Sequence, residues 1–146
     1  MKPQRERQRR PEVTAGRLNE KGAGHLPGLV GVEVLEVGDD GLKGRLAVRP
    51  DLLAPNGYLH AASVIALADT MAGYGTVAFL PEGARGFTTV ELKSNFLGTA
   101  RDGYIECIAT PQHMGRMTQI WDAVITVGDR KIALFRCTQM ILYDGK

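Results

Sequence analysis

One aspartate is the only formally charged residue between Asp51 and Glu82, and it lies within an apolar stretch of the sequence. Burying this side chain, Asp69, is costly unless its carboxylate is hydrogen-bonded or its pKa rises. A carboxylate held in such surroundings is a candidate general base or nucleophile. The same sequence also fits an aspartate on a helix surface or one bonded locally through Thr70, and spacing alone does not separate these interpretations.

A histidine stands nine residues before this aspartate, just before a predicted helix start. His60 is followed by Ala61 and Ala62. The amides of a first helical turn lack intrahelical partners and carry partial positive charge, so they could bind a carbonyl oxygen as an oxyanion hole does. Taken alone, His60 is better explained as an N-terminal cap or as a core histidine. The histidine, the helix start and Asp69 are more informative together.

Other patterns that could carry chemistry lack the structural context they need. The stretch from Gly73 to Ala78 matches GxGxxA but falls within the predicted helix rather than after a strand, so a dinucleotide site is not supported. Ser63 has no GxSxG elbow around it. Cys107 and Cys137 lie in apolar strand patterns, which indicates core thiols. The histidines and cysteines have no metal-ligand spacing, so neither a metal site nor a cofactor is predicted.

The helix that carries Asp69 is predicted over Ala61–Leu80, because proline is absent until Pro81. One face collects Val64, Leu67, Ala68, Met71, Tyr74 and Ala78 at about 100° per residue. The opposite face holds Asp69 and small residues, namely Ala62, Ala66, Gly73 and Thr76. A helix face in solvent normally carries Lys, Glu or Arg. We therefore expect this helix to be covered on most sides.

Strand-like patterns flank the helix on both sides. Leu29–Val37 and Leu42–Val48 predict a hairpin around the turn residues 38–41. Four more strands are predicted after the helix, at Gly86–Leu97, Tyr104–Pro111, Met117–Val127 and Lys131–Tyr143. The element order β-β-α-β-β-β-β predicts an α+β fold, in which a curved antiparallel sheet wraps around one long central helix.

Length and composition fit one ordinary globular domain. The chain has 146 residues, of which 44% are hydrophobic and 23% charged. No run of about 18 apolar residues and no apolar stretch behind the basic N-terminus are present, so neither a membrane span nor a secretory signal is predicted. Two cysteines without CxxC spacing favour a reducing cytoplasm.

The N-terminal segment differs in composition from the rest of the chain. Residues 1–25 carry seven basic and three acidic side chains and so have a net charge of +4, whereas the remainder has a net charge of −2. Residues 1–24 are polar and are predicted to form a basic, disordered arm, followed by a single domain over 25–146. A nucleic-acid-binding arm is the alternative, but Glu6 and Glu12 and the absence of aromatic residues oppose it.

The stretch from Asn56 to Thr70, NGYLHAASVIALADT, resembles the active-site segment of hotdog-fold acyl-CoA thioesterases. That family carries Gly-x-x-His-Gly-Gly with an acid nine residues after the histidine, and Gly57, His60 and Asp69 match this pattern. Residues 89–97 and 113–116 are similar to strand motifs of the family. The resemblance covers residues 28–143. It is closest to the phenylacetate-degradation and 4-hydroxybenzoyl-CoA thioesterase branches.

The resemblance implies a role for each matching position. Asp69 is expected to attack the thioester or to activate water, and the amide of Ala61 is expected to polarise the thioester carbonyl. His60 shapes the turn, and Thr89 on the next strand holds the water or the carboxylate. Family sites are shared across a dimer, so Asp69 and Ala61 are expected to come from different subunits of a homodimer or homotetramer.

Two departures from the family pattern bear on the mechanism. The glycine pair after the histidine is replaced by alanines, of which Ala61 keeps the backbone N–H. Relatives often carry Asn or Gln six residues before the histidine, where this chain has Ala54, and Asn56 could supply that amide instead. The alternatives are therefore a non-catalytic hotdog protein that binds acyl-CoA, or a hotdog hydratase or dehydratase with His60 as its base.

The expected activity is hydrolysis of an acyl-CoA or aryl-CoA thioester to a carboxylic acid and free CoA, in the cytoplasm and without nucleic acid as a partner. CoA itself is part of the substrate, and its phosphates need positive charge. Arg101 and Arg116 follow strand ends, where backbone N–H groups are exposed and arginine can bind phosphate as a rigid fork. The alternative interpretation is that both arginines are solvated loop residues.

Overall fold

The computed structural model describes residues 8–145, which form one six-stranded antiparallel sheet and three α-helices. The helices are α1 (Ala15–Gly22), α2 (Leu26–Val30) and α3 (Ala61–Ala78), with one turn of 3-10 helix at Pro50–Leu52. The strands are β1 (Val32–Gly38), β2 (Gly41–Ala47), β3 (Ala84–Phe96), β4 (Tyr104–Met114), β5 (Thr118–Val127) and β6 (Arg130–Tyr143). Their spatial order is β1-β2-β4-β5-β6-β3, so β3 lies at one edge.

Helix α3 runs through the core, as its sequence predicts. Leu67, Met71 and Ala72 are fully buried. Thr76, which lies on the opposite face of the helix, is also 0% exposed. The helix approaches the sheet closely because glycine occupies the contact points. A Cβ on Gly75 would lie 2.5 Å from the Trp121 ring, and one on Gly44 of β2 would lie 2.5 Å from Met71 Sδ. The predicted fold class, a curved antiparallel sheet around one central helix, is confirmed.

The same helix is the one segment among residues 8–145 that is long and apolar enough to span a membrane. However, 56% of its residues are buried inside the protein. Its apolar composition therefore reflects its place in the core, where β2, β4, β5 and β6 pack against it.

Part of the predicted N-terminal arm is folded. Thr14 caps α1 by accepting a hydrogen bond from the Arg17 amide, and Leu18 of α1 is only 2% exposed. Asn19 fastens α1 to β1, since its side chain donates to the Val34 carbonyl and accepts from the Val34 amide. The folded domain therefore begins before the predicted boundary at residue 25, because the buried Leu18 and the two hydrogen bonds between Asn19 and Val34 attach α1 to the core. Residues 1–7 of that arm lie outside the described residues.

The chain between α1 and β1 also differs from the prediction. The expected first strand began at Leu29, whereas the structure continues α2 to Val30 and begins β1 at Val32. Gly31 makes this break possible because it ends α2 with a φ of 87°, a left-handed conformation that favours glycine. The remaining strands begin and end within three residues of their predicted limits.

Candidate active site

The start of α3 leaves one backbone donor free. His60 is the N-cap, and its Nδ1 accepts a hydrogen bond of 2.9 Å from the amide of Ala62. The His60 carbonyl accepts from the amides of Ser63 and Val64. Within residues 8–145, the Ala61 N–H has no acceptor, and Ala61 is exposed. The first amide of an 18-residue helix is thus available to an oxygen ligand, and the partial positive charge of the helix terminus favours it.

The loop before the helix is a tight turn that presents His60. Gly57 has a φ of 86°, which other residues rarely adopt, and its amide donates to the Ala54 carbonyl. Asn56 is exposed, and its Oδ1 accepts from the Tyr58 amide, so this oxygen shapes the turn. The amide NH₂ of Asn56 has no acceptor among the described residues and is available to a ligand.

Asp69 lies on the half-buried side of α3. Its Oδ1 atom is buried, and no donor among the described residues reaches it. Burial raises the pKa of Asp69 above its usual value. A half-buried carboxylate whose pKa has moved toward neutrality is suited to accept a proton during a reaction.

The strands opposite Asp69 bring Thr89 to the same region. Thr89 pairs in register with Gln139, and Leu92 pairs with Cys137, so these residues share the helix-facing side of the sheet. The charge of Asp69 reaches Cys137, because it contributes, after burial, to raising the pKa of that thiol to about 12. Packing agrees with this, because a Cβ on Gly73, one helical turn after Asp69, would lie 3.0 Å from the Phe87 ring of β3. Both cysteines are buried and neutral, so neither is a nucleophile.

Ala61 and Asp69 do not meet within one chain. They are eight residues apart on a continuous helix, which separates them by about 12 Å along its axis. A single thioester carbonyl cannot lie within hydrogen-bonding distance of the Ala61 N–H while a water on Asp69 attacks its carbon at that separation. Within one chain, the Ala61 N–H and the Asp69 carboxylate are therefore two separate groups, which we call half-sites.

The two candidate arginines also lie far apart. Arg101 lies beside the start of α3, since the Leu59 amide donates to the Ala100 carbonyl and the Arg101 guanidinium stacks 4.1 Å from the Tyr58 ring centre. Arg116 is exposed at the opposite end of β4, where its carbonyl accepts from the Tyr143 hydroxyl. An 11-residue strand separates them by roughly 35 Å, so one chain does not bring both to the same phosphate.

Two buried glutamines were not among the residues predicted from the sequence. Gln119 and Gln139 are both 0% exposed and pair with each other across β5 and β6. Glutamine is seldom fully buried, and the burial of both side chains shows that they point into the core. No group of three His, Cys, Asp or Glu in residues 8–145 could hold a metal ion.

One concavity of the single chain lies on the other side of the sheet. It measures about 380 Å³ and is lined by Lys93, Asn95, Asp122 and Arg136 among others. The Arg136–Asp122 ion pair occupies its polar wall. It contains neither Asp69 nor the start of α3, so it is separate from the two half-sites.

Comparisons of the sequence and of the structure with known proteins agree on the family. The family model described as the thioesterase superfamily matches residues 56–133. The Escherichia coli K12 protein named 1,4-dihydroxy-2-naphthoyl-CoA hydrolase is 28% identical over 116 residues, which cover 78% of this chain and 83% of that protein. The crystal structure of a thioesterase from Haemophilus influenzae has a TM-score of 0.84 and 26% identity, and the match covers 89% of this chain and 91% of the other.

The structure of a third relative has been solved for two point variants. A thioesterase from Staphylococcus aureus has a TM-score of 0.75 and 26% identity, with 80% of this chain and 97% of the other covered. One solved variant replaces a glutamine by alanine, and another replaces a glutamate by alanine fifteen positions later. The same separation joins Ala54 to Asp69 in this chain.

Proposed function

The chain belongs to the thioesterase superfamily, and from that premise we propose that it hydrolyses an acyl-CoA or aryl-CoA thioester to a carboxylic acid and free CoA, with Asp69 as the catalytic carboxylate. The observation that carries the role of Asp69 is its half-buried carboxylate of raised pKa, on a helix whose first amide has no acceptor among the described residues. The name of the E. coli relative supports an aromatic acyl group.

In the proposed reaction, Asp69 takes a proton from water as the water oxygen bonds to the thioester carbon. The carbonyl oxygen gains negative charge and accepts a hydrogen bond from the Ala61 N–H. The carbon–sulfur bond then breaks, and the proton held by Asp69 returns to the CoA sulfur. Thr89, on the same side of the sheet as Gln139, holds the water or the carboxylate. His60 keeps the turn in place through its bond to Ala62. No cofactor is needed.

The proposed enzyme is a homodimer or a larger homo-oligomer, in which Ala61 of one subunit faces Asp69 of another. The 12 Å separation within one helix supports this arrangement, as does the edge position of β3. This 13-residue strand has one unpaired side, and it exposes Val90 by 50% and Phe96 by 45%. An edge strand of this length with exposed apolar side chains is rarely left uncovered. Two buried free thiols support a cytoplasmic location.

Release of free thiol from a panel of CoA thioesters tests the proposed function. Purified protein should release CoA from at least one of benzoyl-, phenylacetyl-, 1,4-dihydroxy-2-naphthoyl- and medium-chain acyl-CoA. Binding of these thioesters without release would support the acyl-CoA-binding alternative. A rise in absorbance from a conjugated enoyl product would support the hydratase or dehydratase.

Arg101 should contribute to CoA binding because it lies at the Ala61 end of the site. Arg101→Ala is expected to raise KM for CoA thioesters about tenfold while kcat is kept, since a charge-assisted bond to phosphate is lost. The corresponding pantetheine thioester, which lacks the nucleotide, should be hydrolysed as by the wild type. Equal losses on both substrates would mean that Arg101 only supports Tyr58 and its loop. Arg116→Ala, at the other end of β4, shows whether the second arginine shares this role.

A further inference from the structure

Two buried oxygen acceptors near the site have no donor in the part of the chain that the structure describes. They are Oδ1 of Asp69 and Oε1 of Gln139. Buried polar atoms are almost always hydrogen-bonded, and an acceptor left without a donor costs free energy. Helix α3, which carries Asp69, packs against β6 and β3, the strands that carry Gln139 and its partner Thr89.

The side chain of Gln139 points into the core on the side of the sheet that α3 covers. Its Nε2 donates to Cys137 Sγ at 3.4 Å, and both residues are 0% exposed. On β3, the residue paired with Gln139 is Thr89, which is assigned to the proposed site. Two residues before Thr89, the Phe87 ring would lie 3.0 Å from a Cβ on Gly73, one helical turn after Asp69, so this part of the sheet packs against the Asp69 side of α3.

Two acceptors cannot bond to each other, but one water molecule can donate to both. A buried water that makes two to four such bonds is a normal part of a protein interior. We propose that Gln139 is a positioning residue for Asp69, whose Oδ1 shares a buried water with Gln139 Oε1, so that Oδ2 is held toward the substrate. This inference rests on the proposed function.

The other buried glutamine shows what a purely structural role looks like. Gln119 lies directly across from Gln139, and both of its amide atoms are paired within the chain. Its Nε2 donates to the Phe79 carbonyl at 3.0 Å, and its Oε1 accepts from Trp121 Nε1 at 2.8 Å. This chain also has Ala54 fifteen residues before Asp69, so that position supplies no amide side chain to the carboxylate.

The test compares Gln139→Met with Gln119→Met, because methionine keeps the length of glutamine and removes its amide. Gln139→Met is expected to lower kcat by about tenfold or more with KM within about twofold, since the substrate is still bound but the base is misplaced. Gln119→Met is expected to lower Tm while kcat is kept. Gln139→Asn, which withdraws the amide by one methylene, should lose kcat in the same way.

A wild-type kcat in either folded Gln139 variant would overturn the proposal, as would an equal loss of kcat in Gln119→Met. If the wild-type protein releases no thiol from any CoA thioester, the proposed function itself is wrong. Thiol release by the wild type together with unchanged Gln139 variants would leave the proposed function intact and reject only the role of Gln139.

Discussion

Asp69→Asn is expected to lower kcat for the preferred CoA thioester by a factor of about 10² or more, with KM little changed. The substitution keeps the shape of the side chain and removes its ability to take a proton from water. Asp69 is half-buried and is the only formally charged residue between Asp51 and Glu82. We therefore expect no nearby carboxylate on α3 to replace it. Steady-state kinetics by thiol release measure both constants.

Although Asp69→Asn should lose activity, its thermal stability should be kept or raised. Burial raises the pKa of Asp69 in the folded protein above its unfolded value, so the ionised form opposes folding. Stability from this residue is full below its unfolded pKa and is lost as the pH rises through the folded pKa. At neutral pH, Asp69→Asn should therefore have a Tm equal to or above that of the wild type. A folded variant with near-normal turnover would show that Asp69 is not the base.

Ala61→Pro is expected to lower kcat by about 10² to 10³, which is the usual effect of removing one oxyanion-hole donor. Proline lacks the N–H, which is the only group of Ala61 that the mechanism uses. The backbone already suits proline, because Ala61 is the first helical residue and His60 before it has a ψ of 139°. The fold should consequently be kept, as circular dichroism and Tm can verify.

Ala61→Gly is the matched control for this substitution. It keeps the N–H and gives the residue that relatives resembling this chain carry after the histidine, so kcat should stay near that of the wild type. Equal activity of Ala61→Pro and Ala61→Gly would contradict the role of this amide. Loss of activity in both would indicate that the turn around His60, rather than the donor, was disturbed.

The fold was largely predictable because its strongest signal lies in α3. A helix that is apolar or small on all sides must be surrounded, and the strand patterns before and after it supply the sheet. Helix α1 was not predictable in the same way. Its attachment depends on one buried leucine, Leu18, and on the bonds of Asn19 to Val34, a contact between segments that composition does not reveal.

The half-sites were predictable where the residues are close in sequence. His60, Ala61 and Asp69 belong to one loop and one helix, so spacing places them. Gln139 could not be found in this way, since its position follows from the register of β6 with β3 and β5. Arg101 and Arg116 are separated by the length of β4 within one chain, and their assignment to the phosphates of CoA stays a prediction.

The central claim is that Asp69 of one subunit acts together with the Ala61 N–H of another. Co-expression of Asp69→Asn with Ala61→Pro, each carrying a different affinity tag, allows purification of the mixed oligomer. A mixed dimer contains one site with both wild-type groups and one site with neither, so the purified mixed dimer should regain about half of wild-type thiol release, although each variant alone is nearly inactive. Activity of the purified mixed dimer no higher than that of the single variants would contradict the shared site.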